Sequence, residues 1–316
     1  MFNTTHTLVG LGLARCGLKR WAPWATWTAV IAANLPDIDI VTQLGGTSNY
    51  IEHHRGITHA ITGLPFLSAA LAAAMYFFAR YRGAPPASFW RHFSVALVAM
   101  ATHPLLDWTN TYGIQPYIPF DTTWYYGDLL FIIDPYLDLL LLAGVVLSRH
   151  KPRAAWLALL LCIGYLGIRL ESRELARRAL TVHSSQPGVV NSAVQPDMLN
   201  PMEWSGFVAM GDSTSRIRIN IRTGETKQVS TLATALPSPV TAAAETTRTG
   251  KVFKAFARFP ITQVEAIEAG YRVRMIDVRF YRIGSTNATA LAAEVLLDRA
   301  LKPVSESMSF ALALPR

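Results

Sequence analysis

Cysteine is nearly absent from this chain of 316 residues: Cys16 and Cys162 are the whole supply, each inside an apolar stretch. A disulfide framework and a thiolate metal site are thereby excluded as organising devices. Charge is scarce as well, at 16% of residues, and the excess of +8 falls in short Arg/Lys clusters between apolar runs. A nucleic-acid binder would carry such charge as one stripe with interleaved aromatics, so nucleic acid is not an expected partner. No Lys or Arg precedes Arg15, so the basic start of a secretory signal is missing.

Apolar length is plentiful, in one half only. Residues 64–79, 93–106, 129–147 and 154–170 are predicted to cross a membrane, against the roughly 20 apolar residues a bilayer core requires. Residues 5–18 and 21–35 read as a shorter helical hairpin broken around 17–23. A Ser/Gln/Pro/Asn-rich stretch, 181–200, reads as a linker. Beyond it, 204–210, 215–221 and 271–281 alternate as strands and 252–259 suits a short helix. Arg272, Arg274, Asp277, Arg279 and Arg282 read as a polar strand face. The expected fold is mainly α: a multi-pass helical membrane bundle over 1–180, followed by a small soluble α+β, β-rich C-terminal domain over 201–316.

If every run crosses, Arg80, Arg82 and Arg91 lie on the same side as Arg149, Lys151 and Arg153, and the positive-inside rule makes that side cytoplasmic. Arg169, Arg173, Arg177 and Arg178 fall on the other side and oppose this, unless 170–180 is an interfacial helix.

Opposite those basic loops the same topology gathers His6, Asp37 and Asp39, His53, His54 and His59, His103 and Asp107, Asp128 and Asp134. His103 and Asp107 are four apart, on one face of a helix, a spacing suited to one metal ion. Asp37 and Asp39 follow Pro36; in an extended segment they point the same way and could bridge two ions. His54 and His59 flank a turn holding Arg55, whose fork suits an anionic oxygen. His53 reads as a neighbour rather than a ligand, and His92, His150 and His183 as hydrogen-bonded bystanders. Asp134 is a costly carboxylate at membrane depth and defaults to function. The predicted metal ligands are therefore His6, Asp37, Asp39, His54, His59, His103, Asp107 and Asp134. Imidazole and carboxylate without thiolate suit Zn, Mn or Fe, and so many ligands imply two or more ions. Asp39 would act as base or bridge, and Arg55 would stabilise developing negative charge.

The segments NLPDID, HHRGITHA, THPLLDWTNTYG and DLLFIIDP resemble, in order and in membrane context, the YdjM-like family of inner-membrane metal-dependent hydrolases, whose hallmark is HRGxTH. The resemblance covers residues 1 to about 170. It implies a hydrolase in a bacterial inner membrane and carries metal binding to Asp37, Asp39, His54, His59, His103 and Asp107, with His6 and Asp134 fitting the same pattern. Ala60 stands where members often have Ser. NPMEWSGF, FARFP and VRMIDVRFY resemble a C-terminal extension of longer members. The His/Asp content is also similar to that of zinc-dependent phospholipases C and nucleases. These features together imply cleavage of a phosphoester or lipid-like substrate at the outer face of the membrane, with membrane lipid and a small-molecule or lipid substrate as partners. A cation transporter and a scaffold with structural metal are the competing classes. A transporter would bind its ion near the midplane, and a closed structural site would not need this excess of ligands.

Overall fold

The computed structural model describes residues 1–281 and 291–310; Arg282 and residues 311–316, which the sequence assigns to the C-terminal domain, lie outside them. The helices are α1 (Asn3–Arg15), α2 (Ala25–Asn34), α3 (Thr47–His53), α4 (Leu64–Tyr81), α5 (Phe89–Trp108), α6 (Pro135–Leu147), α7 (Arg153–Ser184), α8 (Pro239–Thr246) and α9 (Arg248–Phe256). The strands are β1 (Val189–Pro196), β2 (Glu203–Met210), β3 (Ser213–Asn220), β4 (Glu225–Ala233), β5 (Pro260–Ile267), β6 (Gly270–Asp277), β7 (Leu291–Asp298) and β8 (Pro303–Phe310). They divide into two compact units.

The first unit comprises Met1–Ile40, His54–Glu174 and Gln195–Pro201. Small residues let its helices approach closely: Ala14, Ala25, Ala29, Ala32, Ala96 and Ala99 form one core with Leu71, Met75 and Met100. Leu8, Val9, Leu130, Leu137, Leu141 and Cys162 form a second. Among the described residues only α4 and α7 are long and apolar enough to cross a membrane, so the multi-pass bundle reduces to two candidate spans. Residues 129–147 are helical for only 13 residues, about 20 Å against a hydrocarbon core of about 30 Å. The reason is local. Pro135 disfavours helix at Asp134, whose side chain caps α6 by accepting from Leu137 N at 2.9 Å, while Leu129 N and Leu130 N bond to Thr109 O instead. α5 has the length but also carries Arg91, His92, His103 and Asp107.

α7 runs unbroken, with no separate interfacial helix after residue 170. Two of the four arginines that opposed the charge rule are employed internally: Arg169 donates to Leu129 O and Pro201 O, and Arg173 to Gly127 O, while Arg177 and Arg178 are exposed.

The second unit comprises Val41–His53, Leu175–Val194 and the described residues from Met202 onward. It holds two four-stranded sheets, ordered β1-β2-β3-β4 and β5-β6-β7-β8. Antiparallel register places Val264 opposite Val273 and Val273 opposite Val295, and Trp204, Ile217 and Ile219 pack on Ala176 and Leu180 of α7. Residues 181–200, polar enough to read as a linker, hold the last turn of α7 and all of β1, whose Ala193 and Val194 are buried. Asp277 and Arg279 are not a polar surface either. Both side chains are fully buried in an ion pair of 2.7 Å, with the guanidinium 5.4 and 5.0 Å from the Phe256 and Phe280 ring centres. Helix α3, from the amino-terminal half of the sequence, belongs to this unit, with Ile51 buried.

Candidate metal centre

Four short pieces of the first unit bring the ligands together. α1 delivers His6, the 3-10 segment Leu35–Gly45 delivers Asp37 and Asp39, the turn before α4 delivers His54 and His59, and α5 delivers His103 and Asp107. The aspartate segment is not extended. With three residues per turn, positions two apart diverge by about 120°; Asp37 reaches His103 and one side of His59, Asp39 reaches His54 and the other side of His59, its Oδ2 3.5 Å from Nδ1. Asp37 Oδ1 lies 3.5 Å from His59 Nε2 and 3.4 Å from His103 Nε2. Asp39 Oδ1 takes His54 Nδ1 at 3.0 Å, and its Oδ2 accepts from Arg55 N at 2.9 Å and Thr58 Oγ1 at 3.2 Å.

The turn is built for this delivery. Arg55 sits in the left-handed region, φ 60°, which aims its backbone N–H at Asp39. Gly63 closes the turn, because a Cβ there would collide with Ile57 O. His103 and Asp107, one helical turn apart, bring Nε2 and Oδ2 to 3.6 Å.

Proton placement decides what these atoms can do. His103 Nδ1 lies 2.7 Å from Ala33 O, an obligate acceptor, so Nδ1 carries the proton and Nε2 a lone pair. Thr58 donates to Asp39, so its oxygen accepts from His59 Nδ1 at 3.0 Å, leaving the His59 Nε2 lone pair as well. The two Nε2 atoms then face each other at 3.1 Å, with Asp37 Oδ1 and Asp107 Oδ2 3.4 to 3.6 Å from them. Four electron-pair donors aimed at one point repel unless a cation lies between them. Their separations match the roughly 3.3 Å edges of a tetrahedron built on metal bonds of about 2.0 to 2.1 Å. Asp37, Asp39 and His54 form a second group able to hold an ion, sharing Asp37 with the first.

His6 stands beside these groups. Its ring stacks on His103 at 3.7 Å between centres, and its Nε2 is 3.4 Å from Asp107 Oδ1, the oxygen that also accepts from the Met1 amine. Both ring nitrogens of His6 are buried without a hydrogen-bond partner, as expected of an imidazole reserved for a ligand. Asp134 is not brought in; besides capping α6 it accepts from Tyr165 Oη at 3.0 Å. His53 is exposed against Asn49 O. Arg55 is buried: its Nε lies 3.1 Å from Asp107 Oδ2, and its Nη1 donates to Asn110 Oδ1 and Gly113 O at 3.1 and 3.0 Å. Thr58 and Asn110, which sequence reasoning passed over, sit within the HHRGITHA and THPLLDWTNTYG motifs, and that proximity is the signal that could have found them.

Burial pushes the His59 imidazole down to about 3, so its ring is neutral and ready for a metal at pH 7. Burial alone would raise Asp39, but the His54 imidazole and the Arg55 N–H beside it outweigh this and hold it below the usual carboxylate range. Metal-free protein is therefore expected to lose stability as pH falls. The neutral-His59 contribution is complete above 6.5 and declines from there towards 3, and Asp39 adds a loss below its ordinary 3.8. Thermal unfolding after chelation checks this: the midpoint should drop between pH 7 and 5, less so in His59→Gln, and equal drops in both proteins would contradict it.

Residues 1–176 match the family described as YdjM inner membrane protein, and residues 239–311 match the YfhP C-terminal alpha/beta plait domain. The protein YfhP of Bacillus subtilis (strain 168) is 27% identical over 296 residues, covering 89% of this chain and 87% of that protein. No solved structure matches the chain.

Proposed function

The chain belongs to the YdjM inner membrane protein family, and from that premise we propose that it is a metal-dependent hydrolase of phosphoesters, holding two divalent ions, zinc first among them, on its His/Asp cluster. One observation carries the proposal: the Nε2 atoms of His59 and His103 face each other at 3.1 Å, with Asp37 and Asp107 at tetrahedral spacing around them. Asp37 belongs to both ligand groups, which supports a shared, bridging carboxylate. When bound, such a pair of ions lowers the pKa of a water towards neutrality and offsets charge building on the ester oxygens.

This chain's residues then have distinct tasks. His59 and His103, with protons committed at Nδ1, hold one ion with Asp37 and Asp107. Asp39 orients His54 and, through Thr58, His59. Arg55 holds Asp107 and so acts through a ligand rather than on substrate, while Asp39 would also share the second ion with Asp37 and His54. Asp37 and His54, with side chains 20% and 14% exposed, are the members a substrate reaches.

Metal-loaded protein should hydrolyse p-nitrophenyl phosphate or bis(p-nitrophenyl) phosphate, stop on chelation, and fall at least about 100-fold in Asp37→Asn, the size of effect that losing a charge-stabilising group brings. Equal turnover before and after chelation would sink the proposal.

The centre is proposed to face outward. Arg80 and Arg82 lie at the far end of α4 from His59, and Arg149, Lys151 and Arg153 cluster at the start of α7, so both candidate spans point the same way under the positive-inside rule. Alkaline phosphatase fused after the last residue should be active in intact cells; an inactive fusion at equal expression would reverse the orientation.

A further inference from the structure

The ligands themselves are deeply buried, but the segments carrying them turn large aliphatic side chains outward. Ile38 and Ile40 alternate with Asp37 and Asp39 and are 48% and 58% exposed. Ile57 and Ile61 stand two residues to either side of His59 and are 51% and 59% exposed. Single exposed apolar side chains are ordinary on any surface. Four isoleucines within two residues of metal ligands, two on the 3-10 helix and two on the turn before α4 rather than on a spanning helix, are not explained by the packing of a span. Ile38 directly follows Asp37, and Ile57 comes three residues after His54, the two ligands whose side chains reach the surface.

The segment after His59 also leads directly into a candidate span. Ile61 precedes the start of α4 by three residues, and this candidate span opens with Phe66, 78% exposed, and continues with Phe77 and Phe78 outward. A soluble phosphoester would be better served by a rim of donors, because exposed isoleucine offers it nothing. An amphiphile needs both parts: cations for its phosphate and an apolar track leading from the bilayer for its chain.

We infer that the metal centre takes phosphate amphiphiles from the bilayer, seating the alkyl chain on a collar formed by Ile38, Ile40, Ile57 and Ile61; this rests on the phosphoester reading of the same site. The collar sets specificity and leaves metal binding alone.

The test uses the full-length, metal-loaded protein in one detergent, titrated with methyl, butyl and octyl phosphate. Partition of each probe into micelles is the same for every variant and cancels between them. Wild-type affinity should rise about two- to fourfold per methylene, the upper figure being that for a fully buried CH2 group. In Ile38→Ser/Ile57→Ser/Ile61→Ser the gain should fall towards onefold, with metal content and methyl phosphate affinity unchanged. All three positions are exposed, so folding is not at stake. Equal chain-length gains in both proteins would overturn the collar and leave these isoleucines as a bilayer anchor. Methyl phosphate binding with no chain-length gain would overturn it too while sparing the phosphoester reading. No binding of any alkyl phosphate to the loaded protein would overturn both.

Discussion

Purified in detergent and freed of loose metal, the protein is expected to carry close to two equivalents of divalent transition metal, and His59→Ala/His103→Ala to carry at most one, on the group formed by Asp37, Asp39 and His54. The expectation follows from the direction of four lone pairs. Removing both imidazoles deletes two of the four atoms of the tetrahedral group and leaves Asp37 and Asp107 as a pair of carboxylates, which water can satisfy as well as an ion can. Structural zinc sites bind with about 10 to 16 kcal/mol at neutral pH, so losing half the ligands takes the affinity below what survives purification. Asp134→Asn provides the contrast: Asp134 caps α6 and takes the Tyr165 hydroxyl, so this variant should keep the full complement while losing some stability. Bound metal also stabilises the folded state, by about 4 kcal/mol at a thousand times the dissociation constant. Chelation should accordingly lower the melting temperature of wild type by more than that of the double variant. Elemental analysis settles the matter. Wild type without metal, or a double variant with the wild-type content, would sink the centre.

The constellation was legible in the sequence because its members are spaced by geometry that does not depend on the rest of the fold. His103 and Asp107 share a helix face at any depth, and HHRGITHA is short enough that one turn must bring its imidazoles close. Asp37 and Asp39 were found but given the wrong backbone: after Pro36 the chain tightens into a 3-10 helix rather than extending, and the carboxylates diverge. Asp134 was drawn in by its apolar surroundings, yet the following proline makes it a helix cap, a cheaper explanation for a carboxylate at that place. The run 129–147 was read as one span for the same reason. Hydropathy ran through residues 129–147, blind to the point where Pro135 restarts the helix. In the second unit the strands β2 and β3 showed their alternation, whereas β1 hid under Ser, Gln and Asn, and the Asp277–Arg279 pair looked like surface because burial of a satisfied ion pair leaves no trace in composition. That residues 41–53 fold with the second unit has no signature in the sequence, since it is a matter of long-range contacts.

Arg55→Gly is expected to weaken metal binding by about 10- to 100-fold, the range found when a partner of a metal ligand is removed, and Arg55→Lys to restore little of it. Glycine is the informative replacement. At φ 60° it adopts the same backbone without strain, so the N–H that Asp39 accepts stays in place and only the guanidinium is lost. That guanidinium donates to Asn110 Oδ1 and Gly113 O and forms an ion pair with Asp107, its Nε 3.1 Å from Oδ2, so it has three partners on α5 and the segment after it. Its planar fork fixes Asp107 towards His59 and His103, and the Tyr112 ring, 5.2 Å away, backs it. A lysine offers one compact charge on a flexible stem and cannot serve all three partners at once. Removing the cation also leaves Asp107 buried with less compensation, so the metal-free variant should lose about 3 to 5 kcal/mol of stability, part of which bound metal recovers. Competition titration with a chromophoric chelator reads the affinity and thermal unfolding reads the stability. Unchanged affinity in Arg55→Gly would show that Asp107 is held by α5 alone, and Arg55 would then return to the part first read for it, contacting the substrate oxygen directly.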